Sequence, residues 1–334
     1  MIKLCNKLLH VLPSTVVSGE LLYLLDLVKE LTDYNHYVIF EKLDSKMDLD
    51  IIWLLQSVGI NVLFADTITP EVIEREQASG MILYNIVGHA GIGAVCPSIY
   101  YSYGVYDPSP NCTMTIAASE YACTRDCKGN ELKLDTSFII PPSINTRILR
   151  YYTKPPSNFT VGLITSGTRD KYPCSFMIEL LSKLKGVTLA LTTLDKYTHP
   201  GLKLAIDEYT KTNKTIQCQL KITAGLYYIS RCDVLLYANA DKYYEPYNRT
   251  VVEAMAFGRP VICENRSCFP TLFEHKNNIL LFNMVDEVVD YIDKLKNDST
   301  LYSSIGLNGQ LRSSWEDISI HAGKFKKALR MIGV

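Results

Sequence analysis

Glu245 and Glu253 lie eight positions apart in the stretch Asp233-Val-Leu-Leu-Tyr-Ala-Asn-Ala-Asp-Lys-Tyr-Tyr-Glu245-Pro-Tyr-Asn-Arg-Thr-Val-Val-Glu253-Ala-Met-Ala-Phe-Gly-Arg-Pro-Val-Ile262. The pattern reads as strand, polar loop, helix and strand, with Thr250 as helix N-cap, Glu253 three residues on, and Gly258 and Pro260 as the stop. A helix start of this kind presents unpaired N–H groups and a partial positive charge, which suits a diphosphate. Taken singly, Glu253 closes a capping box with Thr250 and Glu245 is a solvated loop charge. Capping alone requires neither a second glutamate upstream nor the Gly-x-Pro-Val exit.

Three other places carry suitable residue types. Gly167-Thr-Arg169-Asp-Lys171 sets a guanidinium, which can grip phosphate through two N–H groups, beside an ammonium point charge. Both charges read equally as exposed loop residues. Ser18-Gly19 lies between a first strand and a first helix, where a missing side chain lets the backbone approach a ligand, although Gly19 reads equally as a plain loop glycine. His89, in Asn85-Ile-Val-Gly-His-Ala-Gly-Ile-Gly93, follows a strand. Gly88 to Gly93 is not a dinucleotide fingerprint, because no helix-forming run or ribose-binding acid follows at the right distance.

The long string resembles the Glu-x7-Glu motif of the retaining GT-B glycosyltransferases of family 4, and Glu253-Ala-Met-Ala-Phe-Gly-Arg-Pro-Val follows that family's Glu-Ala-Met-Ala-x-Gly-x-Pro-Val. Ile116-Ala-Ala-Ser-Glu-Tyr121 and Ile139-Ile-Pro-Pro-Ser-Ile-Asn145 are similar to its strand ending in Ser-Glu and its Ile-Pro-Asn-Gly-Ile-Asp. The resemblance implies α/β GT-B architecture: two Rossmann-like, doubly wound domains facing a cleft. It implies sugar transfer from a GDP- or UDP-linked donor to an acceptor hydroxyl, as of a growing glycan, with retention at the anomeric carbon. Glu245 would then meet the donor sugar and Glu253 the nucleotide ribose, with Tyr247, Asn248, Arg249 and Thr250 also at the donor. Arg169 and Lys171 would clamp the phosphates, Gly19 would lie close to the diphosphate, and His89 would face the reacting sugar. Tyr100, Tyr101, Tyr103 and Tyr106 form a patch that either stacks on an acceptor sugar or packs. The family carries Gly-Phe-Gly after its first glutamate, whereas Pro246-Tyr247-Asn248 stands here, so the backbone approaches the sugar less freely.

No metal and no other cofactor is implied. There is no Asp-x-Asp pair of the kind metal-dependent transferases use, and the basic loop and helix dipole take the place of a cation. Two other readings remain open: a nucleotide-sugar epimerase, which needs no acceptor, and an inactive scaffold that binds a nucleotide sugar or a partner protein. A phosphorylase would need a lysine-bound pyridoxal phosphate, for which no signature is present.

These residues need parallel strands to position them, and the 334-residue chain supplies the pattern, short aliphatic runs alternating with amphipathic segments. We expect an amino-terminal Rossmann-like acceptor domain over 1–152 and a nucleotide-sugar domain over 153–334, separated at the Pro-rich stretch Tyr151 to Asn158. The last helix, with Ala322, Phe325, Leu329 and Ile332 as its apolar stripe, would pack back on the first domain. Its basic face of Lys324, Lys326, Lys327 and Arg330 leaves peripheral membrane contact open. Lys and Arg number 34 against 35 Asp and Glu, so no overall field draws the chain to nucleic acid. Ten scattered cysteines without a zinc spacing, no cleavable leader and no spanning run read as a cytoplasmic protein with reduced thiols.

Overall fold

Parallel strands buried on both faces need continuous apolar runs rather than alternating ones, and this chain has two such series. The computed structural model describes residues 6–12, 19–41, 49–85, 88–103, 110–136, 138–149, 158–164, 171–192, 199–218 and 224–334. By packing, the chain divides into two compact units, Met1–Ile144 with Asp317–Val334, and Asn145–Glu316. The division comes ahead of the expected boundary after 152, which lies outside the described residues.

In unit 1, strands β1 (Lys7–Val11), β2 (Asn35–Glu41), β3 (Asn61–Ala65), β4 (Gly80–Tyr84), β5 (Ser98–Ser102), β6 (Met114–Ala117) and β7 (Phe138–Ile139) form a sheet in the order β3-β2-β1-β4-β5-β6-β7. Every pairing is parallel, for example Leu8 with His36 on one side and Gly80 on the other. The helices are α1 (Gly19–Glu30), α2 (Leu49–Ser57), α3 (Pro70–Arg75) and α4 (Glu120–Thr124). The last helix, Ile318–Met331, belongs to this unit: Phe325 is fully buried against Tyr101 at 6.1 Å between ring centroids. Tyr100 and Tyr101 are not an acceptor platform. They lie in β5 between β4 and β6, both buried, and the Tyr101 hydroxyl donates to the Ile140 carbonyl at 2.7 Å. Tyr106 is outside the described residues.

In unit 2, strands β8 (Thr160–Leu163), β9 (Thr188–Thr192), β10 (Thr215–Cys218), β11 (Val234–Tyr237), β12 (Val261–Glu264) and β13 (Leu280–Phe282) run parallel in the order β10-β9-β8-β11-β12-β13. Helices α5 (Thr146–Leu149), α6 (Cys174–Lys183), α7 (Pro200–Thr212), α8 (Ala224–Arg231), α9 (Arg249–Ala256), α10 (Phe269–Leu272), α11 (Val285–Asn297) and α12 (Ser299–Ser313) accompany them. The core gathers Val161, Leu163, Leu189, Val234, Leu236 and Ile262 from the strands with Met177, Leu180, Leu202 and Ile292 from the helices. Gly258 ends α9 in the left-handed region at φ 68°, as a residue just past a helix often must. Gly306 of α12 lets that turn approach: a Cβ there would stand 2.5 Å from the Gly258 carbonyl oxygen.

Unit 1 also buries a chain of two imidazoles and a phenol. His36 Nε2 lies 2.9 Å from the Leu31 carbonyl, which only accepts, so Nε2 carries the proton and Nδ1 accepts. His10 Nε2, 2.9 Å from that Nδ1, must then donate, and His10 Nδ1 accepts from the Tyr84 hydroxyl at 3.1 Å. This arrangement bonds every ring nitrogen with both rings neutral, the state that burial favours. Burial first, and then the neighbouring His36, holds His10 well below the usual imidazole value of 6.5; burial lowers His36, against the opposing Leu31 bond. An unfolded chain takes up these protons below pH 6.5, the folded chain only lower down. Stability is thus full above that value and falls as the pH drops beneath it. Urea unfolding near pH 7.5 and near pH 5.5 should cost wild type about 1 kcal/mol more between the two than it costs His10→Gln. Equal losses in the two proteins would show that the histidine chain does not set the slope.

Candidate functional site

In each sheet the strand order reverses between two central neighbours, β1 and β4 in unit 1, β8 and β11 in unit 2. Loops leaving the carboxyl ends of such strands diverge and open a crevice where ligands bind. The candidate residues fall at these places. Lys171 lies between β8 and α6, and Glu245 between β11 and α9; Gly19 opens α1 after β1, and His89 follows β4.

Glu245 is the centre of unit 2's arrangement. It is 3% exposed, and its Oε2 meets the Lys171 ammonium at 2.5 Å, the Tyr237 hydroxyl at 2.5 Å and the Asn248 amide nitrogen at 3.3 Å. Three donors, one of them charged, let a carboxylate stay ionised out of water. Its backbone is pinned too: its N–H donates to Ser267 Oγ at 3.0 Å, and its carbonyl accepts from the Cys268 N–H at 3.1 Å. The Lys171 ammonium also lies over the Tyr243 ring, 4.9 Å from its centroid.

Helix α9 begins earlier than the sequence implies. Asn248, not Thr250, is the N-cap: its backbone is extended and its Oδ1 accepts from the Val251 N–H at 2.8 Å. Asn ranks among the strongest N-caps, so it captures the helix start two residues ahead of Thr250, which becomes a half-buried helical residue. The expected capping box therefore does not form. Glu253 is instead buried and paired with Arg249 one turn back, Oε1 to Nε at 2.9 Å. Tyr247 points its phenol to Glu316 at 3.3 Å and is 1% exposed.

Four contributors escaped sequence reasoning. Tyr237 and Glu264 end β11 and β12, and Asn239 and Arg266 follow each by two residues. Their place at strand carboxyl ends was the available signal. The buried Glu264 carboxylate accepts from the Asn239 N–H at 2.5 Å and from Arg266 Nε. Burial pushes its pKa up to about 7, with Arg266 opposing the shift.

In unit 1, Asn85 holds Glu20 of α1 at 2.9 Å, and His89 Nδ1 donates to the Ile68 carbonyl at 3.2 Å. Glu41 stands 3.8 Å from the same Nδ1. Ser18 and Arg169 lie outside the described residues. Among the described residues, no three His, Cys, Asp or Glu side chains converge as a metal set, and no helix is long and apolar enough to cross a membrane.

A sequence-family model described as glycosyl transferase-like matches residues 176–317, the span that holds both glutamates. Among proteins of curated function, none matches. The fold is similar to that of Anabaena Alr3699/HepE, solved in complex with UDP and glucose, at 19% identity and a TM-score of 0.80 over 97% of this chain and 99% of that one. It is similar to a glycosyltransferase from Rickettsia africae ESF-5, at 15% identity and 0.78 over 98% and 99%. A proposed UDP-N-acetylglucosamine 2-epimerase from Listeria monocytogenes matches at 12% identity and 0.62 over 97% and 96%. The fold is thus GT-B, two Rossmann-like α/β units with parallel sheets.

Two stability measurements test this geometry. Asn248→Ala should cost about 1 kcal/mol or more in urea unfolding, and Thr250→Ala only a few tenths; the reverse order would restore Thr250 as the cap. Lys171→Ala strands a buried carboxylate and should cost about 3 kcal/mol, whereas Lys171→Met combined with Glu245→Gln should recover most of it. A double variant no better than Lys171→Ala would mean that the pair does not hold the loop.

Proposed function

We propose that the chain is a glycosyltransferase that takes a sugar from a UDP-linked donor and joins it to an acceptor hydroxyl, such as that of a growing glycan, with retention at the anomeric carbon. The observation that carries this reading is the buried Glu245 carboxylate, held beside the Lys171 ammonium at the point where strand order reverses in unit 2. The glycosyl transferase-like match over 176–317 supports the reaction class. The similar fold of Anabaena Alr3699/HepE, solved with UDP-glucose, supports a UDP-linked donor.

In this reading Glu245 contacts the donor sugar and Glu253 the ribose. Lys171, the start of α9 and, as the sequence pattern implies, Arg169 stabilise the diphosphate as it leaves, so that positive charge and backbone dipoles do what a divalent cation does in other transferases. Glu253, buried and paired with Arg249, is the residue read as meeting the ribose. To His89 and Gly19 of unit 1 we assign the roles that the sequence resemblance implies.

A second reading, epimerisation of a nucleotide sugar, is favoured by the likeness to the Listeria protein. Turnover separates the two: a transferase releases UDP in proportion to acceptor, whereas an epimerase changes the sugar of UDP-N-acetylglucosamine without any acceptor. With the transfer assay in hand, activity should survive excess chelator and fall roughly ten- to a thousand-fold in Lys171→Ala, the scale for one lost transition-state charge. Glu253→Gln should weaken donor binding, and Glu245→Gln should mainly lower kcat. If chelator abolishes transfer and magnesium or manganese restores it, the metal-free mechanism is wrong, and a carboxylate with no role assigned in this reading must hold the ion.

A further inference from the structure

The turn after β11 is gripped from two sides. Asn239 donates its backbone N–H to Glu264 at 2.5 Å, and its carbonyl accepts from an Arg266 terminal nitrogen at 3.2 Å. The same guanidinium donates to the carbonyls of Ala240 at 3.0 Å and Asp241 at 2.7 Å, and lies over the Tyr244 ring at 5.3 Å. Three successive carbonyls converging on one planar cation leave the turn little freedom. The Ala240 N–H in turn donates to the Lys171 carbonyl at 3.0 Å, so the turn is tied to the residue that pairs with Glu245.

The backbone of this turn is well satisfied, and the Asn239 side-chain amide is not. The residue is 4% exposed; its Oδ1 lies 3.1 Å from the Tyr237 hydroxyl, and its Nδ2 has no partner among the described residues. Tyr237 has a single hydroxyl proton, and the 2.5 Å contact commits it to the Glu245 carboxylate. Turning the amide over lets Nδ2 donate to the phenol oxygen and puts Oδ1 at the place where Nδ2 finds no acceptor. As the amide is placed, at least one buried atom of it, Nδ2, goes without a bond beside the Tyr237–Glu245 contact. Such an atom weakens a fold, and it persists where a ligand supplies the missing partner.

We propose that Asn239 is a donor-sugar contact: its leftover amide atom hydrogen-bonds a hydroxyl of the sugar that meets Glu245, and Glu264 and Arg266 are the positioning residues that present it. This rests on the reading of Glu245 as the donor-sugar site. A hydroxyl both donates and accepts, so it satisfies the amide whichever way the amide lies. A phosphate oxygen only accepts, and would fit one orientation alone.

Thermal unfolding combined with calorimetric titration of UDP and of UDP-glucose tests this. Asn239→Ala and the shape-preserving Asn239→Leu remove a polar atom that the fold does not satisfy, so the melting temperature should hold or rise. UDP-glucose affinity should fall about three- to ten-fold, the worth of one hydrogen bond, while UDP affinity stays unchanged. Arg266→Ala should lower UDP-glucose affinity in the same way, and should add nothing on top of Asn239→Ala. A lower melting temperature with UDP and UDP-glucose weakened together in both Asn239 variants would make the residue structural and overturn the proposal. So would UDP-glucose affinity that does not change. Equal losses from Arg266→Ala in the wild-type and Asn239→Ala backgrounds would remove Arg266 from the positioning role. If the wild type binds neither UDP nor UDP-glucose, the donor reading itself falls.

Discussion

A carboxylate 3% exposed cannot remain charged unless its surroundings do the work of water, and around Glu245 they do. The three donors at its Oε2 come from the loop after β8, from the end of β11 and from the residue ahead of α9. No one segment could supply them. They meet because β8 and β11 are parallel neighbours with the chain leaving both at the same edge, so the sheet's topology fixes where Lys171 and Glu245 can stand.

Asn248 joins the charge at Glu245 to the helix behind it. Its Oδ1 caps α9 through Val251, and its Nδ2 reaches Glu245, so one amide is spent at both ends. The start of the helix and the carboxylate therefore move together. Behind Asn248, Tyr247 reaches Glu316, which Arg312 holds at 2.8 Å, tying the loop to the end of α12. A substitution in α12 can in this way reach the site without touching it.

What could be read from the sequence was whatever is local. The two glutamates, the helix that carries the second, its glycine stop and most of the parallel strands are contiguous patterns of a few residues to a few turns. The helix cap was misread because Thr250 and Asn248 both have cap chemistry, and only the backbone decides between them. β5 hid as a tyrosine patch, since an aromatic run is equally a buried strand and an exposed platform. α7 hid behind His199-Pro200-Gly201, where proline looks like a break and is in fact the first residue of a helix capped by His199. α12 hid because Gly306 and Gly309, which permit close packing, interrupt its pattern. The partners of Glu245 lay beyond local reading: Lys171 is remote in sequence, and the grip of Arg266 on residues 239–241 exists only once β12 lies beside β11.

The departure at Pro246-Tyr247-Asn248 from the glycine-rich pattern it resembles gains a physical meaning from these contacts. Where glycines follow such a glutamate, bare backbone can come close to a ligand and offer its N–H groups. Here Pro246 has no N–H, Tyr247 is turned inward to Glu316, and Asn248 is committed to Val251 and Glu245. The position directly after Glu245 therefore offers no main-chain donor, and the side chains of the next two residues are already engaged. Close to Glu245 stand Lys171, against the Tyr243 ring, and Asn239, on the turn whose backbone Arg266 and Glu264 grip. The missing N–H at 246 and the firm placement of the residues after β8 and β11 thus belong to one arrangement, in which the surroundings of Glu245 are set by side chains and turns fixed from outside its own loop.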